Sequence, residues 1–509
     1  MSHSIHRRCF LRVAATGGAL VGLKQLVPSN MQSSVFAAGP SSENNLAPLP
    51  PDIEPLVRLL EETPRERLLE EVAKRVRQGL SYQQILTALL LAGVRNVQPR
   101  PSVGFKFHAV LVVNSVHLAT LRAADADRWL PLFWALDYFK DSQARNQRED
   151  GWRMKPVAEQ AVPSAHKARQ VFVQAMDSWD EAAADVTVAG LARSAGADEV
   201  FELLYRYGAR DFRSIGHKAI LVANSQRVLG QIGWRYAEPV LRSLAYGLLM
   251  HEGGNPAQRD DPADRPGRRN QELAAKIPSE WQDGKPSREA TVEMLAALRE
   301  GATETACDKV IELTRRGAAP QSIWDAVFCG AGELLLRQPG IVALHAITTT
   351  NALHYAYRTS GDDRARRLLL LQNVAFLPMF REAMQGRGQM REGAIDRMEP
   401  AALRSKGREG VEEVFADVSR DRQAAVGKAL AYLQSPEAAQ DLLAEARRLI
   451  LLKGDDPHDY KFSVAALEDY YHVSTGWRDR FLAASMVQLR GSGSPDNKLM
   501  ERAKAALKG

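Results

Sequence analysis

The sequence predicts an all-α protein built from repeated helical units. Apolar residues recur at three- and four-residue intervals through most of the 509 residues. Strong helix formers such as Ala, Leu, Glu and Arg dominate, and alternating runs of β-branched residues are few. A polar pattern, His-x5-Asn-x2-His, occurs at 108–117 and again at 345–354. Two copies of one pattern indicate an internal duplication.

The N-terminus indicates export. Residues 6–12 read His-Arg-Arg-Cys-Phe-Leu-Arg and resemble a twin-arginine (Tat) signal. A Gly/Ala-rich apolar stretch and a small-residue cleavage site follow, which predicts a signal peptide at 1–37 and a flexible leader at 38–52. The resemblance implies a bacterial protein of the periplasm or another extracytoplasmic space, with the Tat translocase as its partner during export. Such proteins fold before export, often around a cofactor.

The charge balance gives no reason to expect a nucleic-acid partner. Four of the 67 basic residues lie in 1–37 and none of the 61 acidic ones does, so the mature chain is nearly neutral. No basic stripe with interleaved aromatic residues occurs. After the N-terminus there is no run of eighteen apolar residues, so we expect no transmembrane segment in the mature chain.

The repeats predict two helical halves, at 53–250 and 288–505, each made of two multi-helix units. A Pro/Gly-rich stretch at 251–287 is the predicted linker. A second polar stretch at 384–424 is a possible lid or loop insertion. Repeats of this kind stack and bury one continuous core.

Some helix starts are visible in the sequence. Thr63-Pro64-Arg65-Glu66 predicts a capping box, with Thr63 as the N-cap and Glu66 at the third helical position. Pro239 is predicted to begin another helix. The two cysteines beyond the signal, Cys307 and Cys329, can be buried thiols or one disulfide, and the sequence leaves this open.

Alignment of the four units gives three polar columns on otherwise apolar helices. The first column holds His108, Lys218, His345 and Ser463, the second holds Asn114, Asn224, Asn351 and Asp469, and the third holds His117, Arg227, His354 and His472. A helix that is apolar all round is buried, so these side chains must find partners inside the protein.

Helical geometry separates the columns. At about 100° per residue, Asn114 and His117 share a face, whereas His108 points the opposite way. The predicted site therefore takes the third column, with His117 and His354 as catalytic or metal-ligating groups and His472 as a further ligand. His108, His345, Lys218, Arg227 and Asp469 are second-tier candidates.

The second column is expected to orient the site or to bind substrate. Asn114, Asn224 and Asn351 hold this role, together with His217, which shares a face with Asn224. Neutral imidazole is a common transition-metal ligand and a general acid or base. A metal ion and a haem both remain open as the cofactor. Alternatively, the Asn and His side chains fix helix register through hydrogen bonds.

Residues 340–354, which read Gly-Ile-Val-Ala-Leu-His-Ala-Ile-Thr-Thr-Thr-Asn-Ala-Leu-His, resemble the helical histidine segments of questin oxidase-like proteins. The resemblance implies an all-α oxidative enzyme. The predicted function is a cofactor- or metal-assisted oxidoreductase acting on a small, partly apolar molecule. The alternative is a non-catalytic helical-repeat binding protein of the cell envelope.

Overall fold

A computed structural model gives the structure of residues 46–100, 107–435 and 438–509. The predicted signal peptide (1–37) and the first part of the predicted leader (38–45) lie outside these described residues. From Ala47 onwards the chain forms a single unit of contacts that includes both predicted halves. Within the leader, the Ala47 amide donates to the Met154 carbonyl at 2.9 Å.

Helices make up most of the described residues, and the rest are turns, irregular loops and one isolated β-bridge between Lys285 and Ala318. The first group is α1 (Glu54–Glu62), α2 (Arg65–Arg77), α3 (Tyr82–Asn96), α4 (His108–Leu111), α5 (Val113–Leu121) and α6 (Leu130–Glu149). Next come α7 (Ala165–Ser178), α8 (Glu181–Ser194), α9 (Ala197–Gly208), α10 (His217–Ile232), α11 (Ala237–Leu249) and α12 (Arg265–Leu273). The predicted all-α class is confirmed.

The second half continues the pattern. Its helices are α13 (Arg288–Glu300), α14 (Thr303–Arg315), α15 (Pro320–Arg337), α16 (Ile341–Thr359), α17 (Asp363–Gln385) and α18 (Gly407–Arg420). The last ones are α19 (Arg422–Tyr432), α20 (Ala438–Lys453), α21 (Pro457–Asp469), α22 (Arg478–Ser485) and α23 (Lys498–Lys508). None of the described helices combines the length and apolar character that a membrane crossing needs.

Two predicted helix starts are wrong by one or two residues. Helix α2 has Pro64, not Thr63, as its N-cap, and no side chain caps it. Pro64 has extended backbone geometry (φ −58°, ψ 147°), so Thr63 lies one residue too far from the free amides to reach them. Helix α11 begins at Ala237, which places Pro239 inside the first turn, where its missing N–H costs nothing.

Both predicted interruptions contain helix. The stretch 251–287 includes α12, which packs against α17. In 384–424, Ile395 is fully buried and its amide donates to Glu333 at 3.1 Å, while Asp396 accepts from Arg299 at 2.5 Å. These contacts fasten the segment to α13 and α15. The two cysteines Cys307 and Cys329 are buried free thiols.

Four inner helices surround a shared axis. Helix α10 packs against α5 and α16, and α21 packs against the same two neighbours, which closes a ring. Helix α4 joins this ring because only a kink at Val112 separates it from α5. Each of the four predicted repeat units supplies one of these helices.

The inner helices run in the same direction. His108 and His217 touch near the beginnings of α4 and α10, and Asn114 and Asn224 touch further along. In the same way, His345 contacts His458 near the beginnings of α16 and α21, and Asn351 contacts Asp469 further along. Two helices that meet at both levels in the same order must be parallel, so each inner helix needs outer helices to return the chain.

Gly216 fixes the approach of α10 to α16. Its φ is +81°, in the left-handed region that favours glycine, and a Cβ there would overlap the Thr349 side chain. We expect Gly216→Ala to lower the free energy of unfolding by about 2–4 kcal/mol, through backbone strain and overlap. Urea unfolding followed by far-UV circular dichroism measures the change.

The matched control is Gly230→Ala in α10, the helix that Gly216 precedes. Gly230 has an ordinary φ, and, apart from the neighbouring backbone of its own helix, no heavy atom of the described residues lies within 4 Å of the place that an alanine methyl group would take. Because alanine is the better helix former, this variant is expected to be as stable as the wild type or more stable by up to about 1 kcal/mol. Equal stability of the two variants would contradict the close approach at Gly216.

Candidate metal centre

Four histidines meet near the N-terminal ends of the inner helices. They are His108 on α4, His217 on α10, His345 on α16 and His458 on α21. One ligand nitrogen from each lies within 4.8 Å of the other three. In the part of the chain that the structure describes, no other group of three or more His, Cys, Asp or Glu side chains has this spacing.

The four imidazoles form a closed ring in which each contacts two neighbours. The ring centroids are 5.2 Å apart for His108–His217, 4.4 Å for His217–His345, 5.2 Å for His345–His458 and 4.6 Å for His458–His108. His108, His217 and His345 are at most 4% exposed. The His458 side chain is 11% exposed, so the cluster reaches solvent at this member.

Hydrogen bonds on the outer side of the cluster fix the tautomers of three imidazoles. His217 Nδ1 lies 2.6 Å from the Ser214 carbonyl oxygen, and His345 Nδ1 lies 2.6 Å from that of Ile341. His458 Nδ1 lies 2.6 Å from Asp456 Oδ1. A carbonyl or carboxylate oxygen only accepts, so each Nδ1 carries the hydrogen. In the neutral ring, each Nε2 therefore presents a lone pair.

These lone pairs face one another. His217 Nε2 and His345 Nε2 are 3.1 Å apart, and His217 Nε2 and His108 Nε2 are 3.4 Å apart. Between His217 and His345 there is no hydrogen to make the contact favourable while both rings are neutral. Only a proton or a metal cation between the two nitrogens removes this repulsion.

Protonation is opposed by the surroundings. Burial lowers the pKa of His108, His217 and His345 well below the ordinary 6.5, and it also lowers the pKa of His458. The nearby ammonium of Lys461 strengthens the effect on all four. The cluster is therefore a set of neutral imidazoles at neutral pH, which is the protonation state that metal ions require.

Lys461 is one turn after His458 on α21 and is 2% exposed. Burial lowers its pKa to about 7, and among the described residues its Nζ has no hydrogen-bond partner. A buried amine without a partner is costly, and such groups concentrate at functional sites. Near neutral pH a fraction of this amine is uncharged and able to accept a proton beside the cluster.

Backbone strain positions His217. Ser214 (φ 60°) and Ile215 (φ 47°) both have left-handed geometry and lead directly into Gly216. A β-branched residue is rare there, and each such residue costs about 1–3 kcal/mol. The turn carries the Ser214 carbonyl to His217 Nδ1, so the strained backbone sets the direction of that imidazole.

The third-column histidines lie elsewhere and do not form a ligand group. His117 lies against Tyr82, whose hydroxyl is 3.2 Å from His117 Nδ1. His354 packs edge-on against Trp324, with ring centroids 4.8 Å apart, and lies 4.9 Å from the ring of His472. The structure brings together His354 and His472, whereas His108 and His345, on the opposite faces of the two motifs, belong to the four-histidine cluster.

The second column pairs up as two polar contacts across the inner helices. Asn114 Nδ2 donates to Asn224 Oδ1 at 3.2 Å, and Asn224 Nδ2 donates to the Leu111 carbonyl at 2.9 Å. In the other half, Asn351 Nδ2 donates to Asp469 Oδ1 at 2.7 Å. Burial raises the pKa of Asp469 well above its ordinary value, which favours the neutral form of this carboxyl.

The remaining second-tier residues form ion pairs. Lys218 Nζ lies 3.0 Å from Asp211 Oδ2, and both side chains are fully buried. Arg227 Nη1 lies 2.8 Å from Glu468 Oε2. Lys218 therefore pairs with Asp211 and not with the histidine cluster, although it is next to His217 in the sequence.

Sequence reasoning missed His458, Asp456 and Lys461. The four clustered histidines share one property that can be recognised in the sequence. Each stands near the start of an inner helix, six to eleven residues before the Asn or Asp of the second column. Asp456-Pro457 is also a helix-start pattern, and Asp456 does cap α21. A search for histidine close to each predicted inner-helix start would have found all four.

Comparison with known proteins identifies no relative. No family model, no curated protein and no solved structure matches this chain. The resemblances to questin oxidase-like proteins and to a Tat signal therefore remain predictions, and the site alone bears on function.

The neutral cluster makes the stability of the metal-free protein depend on pH. Because the pKa values of the folded state are lowered, the unfolded chain binds protons below about pH 6.5 that the native state does not. The free energy of unfolding is expected to fall as pH decreases below 6.5, by about 1.4 kcal/mol per pH unit for each such histidine. Urea unfolding between pH 7 and 5.5 measures the slope.

His345→Asn removes one of the histidines that take up a proton on unfolding. The slope of the unfolding free energy against pH should therefore fall by about 1.4 kcal/mol per pH unit. His166, which is exposed, provides the matched control, since His166→Asn is expected to leave the slope unchanged. A slope that is the same in all three proteins would contradict a neutral cluster.

Proposed function

We propose that this chain is an exported metalloprotein that holds one first-row transition-metal ion at the four-histidine cluster. We further propose that it acts as an oxidoreductase on a small, partly apolar molecule. The observation that carries the proposal is the 3.1 Å contact between His217 Nε2 and His345 Nε2, whose two lone pairs face each other. A cation bound between them turns a repulsive contact into two coordinate bonds.

The spacing of the nitrogens supports a single ion. With metal–nitrogen bonds of about 2.0–2.1 Å, the nitrogens of a tetrahedral site are about 3.3 Å apart. The two Nε2 contacts of His217, at 3.1 and 3.4 Å, agree with that edge. Imidazole ligands suit Zn, Cu, Fe and Ni. A haem requires one or two axial ligands with a porphyrin between them, so this compact cluster favours an ion over a haem.

The outer hydrogen bonds match those of metal-ligating histidines. Such residues usually donate the second ring N–H to a carbonyl or a carboxylate, which holds the ring in position. Ser214 and Ile341 supply carbonyls, and Asp456 supplies a carboxylate. The negative charge of Asp456 also offsets part of the cost of a buried cation.

Two features oppose the binding of a cation, and their free energies can be compared with that of metal coordination. Each nearby helix N-terminus opposes a positive charge by about 0.3–2 kcal/mol. Metal binding in zinc-finger peptides is worth about 10–16 kcal/mol at pH 7, which is larger. Lys461 is the second feature, and its pKa of about 7 means that it can lose its proton when a metal binds.

A cleft next to the cluster supports action on a small molecule. Its volume is roughly 760 Å³, and its walls include Trp134, Tyr138, Asp456 and Pro457. The Trp134 and Tyr138 rings are stacked, with centroids 5.2 Å apart, and offer an apolar face. Asp456 joins this cleft to His458 through one hydrogen bond, so a molecule bound in the cleft lies beside the cluster.

The second candidate is a non-catalytic metal-holding protein of the cell envelope. Its support is the completeness of the cluster, because four imidazoles fill a tetrahedral site and leave no position for a substrate. Structural metal sites are closed in this way. The two candidates differ in whether the bound metal changes oxidation state.

We expect the purified mature chain to retain one transition-metal ion per molecule after extensive dialysis. His217→Asn/His345→Asn should abolish this binding, because two of the four ligands are lost. Asp456→Asn is expected to weaken it by about 10–100-fold, as is usual for a residue that orients a ligand. Metal content by mass spectrometry and affinity by competition with a chelator measure these effects.

The matched control is His117→Asn/His354→Asn, which alters two buried histidines outside the cluster. It should keep the metal, and circular dichroism should show that all variants are folded. Loss of metal in this control with retention in His217→Asn/His345→Asn would reverse the assignment. Reversible absorption changes with ascorbate and ferricyanide support the oxidoreductase, whereas a site that retains only Zn²⁺ supports the second candidate.

A further inference from the structure

A second cavity lies further along the inner helices, away from the histidine cluster. Its volume is roughly 270 Å³, and it is bounded by α10, α16, α21 and the turn after α21. Its walls include Arg227, His354, Tyr355, Arg358, Glu468 and His472. Arg227 and Glu468 each stand ten residues after a clustered histidine, which corresponds to about 15 Å of helix.

The cavity has an excess of positive charge. Arg227 and Glu468 neutralise each other through a contact of 2.8 Å. Burial tends to raise the pKa of Glu468, but Arg227 and Asn351 outweigh it and lower the pKa, so the carboxylate is ionised. Arg358 instead has a histidine as its partner, since its Nη1 donates to His472 Nδ1 at 2.9 Å.

The other titratable groups around the cavity are uncharged. Burial lowers the pKa of His472 and lowers that of His354 well below the ordinary value. Asp469, which accepts a hydrogen bond from Asn351, does not line the cavity, and burial raises its pKa well above the ordinary value, which favours the neutral carboxyl. Among the described residues that line the cavity, the net positive charge is therefore that of Arg358.

Donor groups and an apolar wall meet in this space. Arg227 Nε is buried and has no acceptor among the described residues. The Arg227 guanidinium lies over the Tyr355 ring, 4.1 Å from its centre, which is within cation–π range. His354, which lines the cavity, packs on Trp324 and Phe328, with ring centroids 4.8 and 4.9 Å away.

We infer that this cavity binds a small organic carboxylate with a planar apolar part. The carboxylate pairs with Arg358, as arginine and carboxylate commonly do. The apolar part lies against Tyr355 and His354. A volume of roughly 270 Å³ is at the lower limit of ligand pockets, which favours a single aromatic ring over a larger molecule.

Benzoate is the probe, and isothermal titration calorimetry on the metal-free mature chain measures its binding. Benzamide has the same shape without the charge, and inorganic phosphate has charge without the ring. We expect benzoate to bind at least tenfold more tightly than either. Because the chain is metal-free in this measurement, the result does not depend on whether the histidine cluster binds a metal.

Arg358→Gln tests the assignment directly. Arg358 is exposed, so its replacement is expected to leave folding intact while weakening benzoate binding at least tenfold. Arg408→Gln, at an arginine whose side chain is 92% exposed in a distant helix, should leave binding unchanged. Equal binding of benzoate and benzamide, equal binding of phosphate, or an unchanged affinity in Arg358→Gln would each overturn the inference.

Discussion

The contact between two neutral imidazoles on neighbouring inner helices is the constraint on which this structure depends. His217 and His345 each direct an N–H outwards to a carbonyl of their own chain segment, so both must turn a lone pair inwards. The chain accepts strain to hold this arrangement. Ser214 and Ile215 have left-handed backbone geometry, and Gly216 is the residue that lets α10 approach Thr349. Strain retained at one place in a helical core is typical of a functional site.

The parallel direction of the inner helices explains why polar groups gather in separate levels. All four helix beginnings converge at the histidine cluster, and the Asn and Asp residues of the second column meet further along. Glu468, Arg227 and the third-column histidines of the second half then surround a cavity. One architecture thus supplies two chemically different sites, one suited to a cation and the other to an anion.

Much of this arrangement could be predicted from the sequence. The helical class, the polar columns and the separation of His108 from His117 follow from helical periodicity, which fixes the angles between side chains on one helix. Periodicity does not say which of two opposite faces points at the other helices. The prediction chose the face of His117 and His354, whereas the structure gathers the face of His108 and His345 and adds His217.

Other features depend on contacts that no local pattern contains. In the alignment of the repeats, Lys218 and not His217 occupies the column of His108. The strained turn at 214–216 directs the His217 side chain into the cluster instead. His458 stands outside the repeated motif because α21 begins at Pro457 and places its histidine in the first turn. The pairing of Lys218 with Asp211, and the absence of a partner for Lys461 among the described residues, are decided by tertiary packing.

X-ray absorption spectroscopy at the edge of the bound metal tests the central claim most directly, because it reports the ligands themselves. A four-imidazole site predicts nitrogen neighbours at about 2.0–2.1 Å, with the outer-shell scattering of four imidazole rings. The His217→Asn/His345→Asn protein should lose this spectrum. A first shell dominated by oxygen or sulfur, or one with fewer than three imidazoles, would contradict the account.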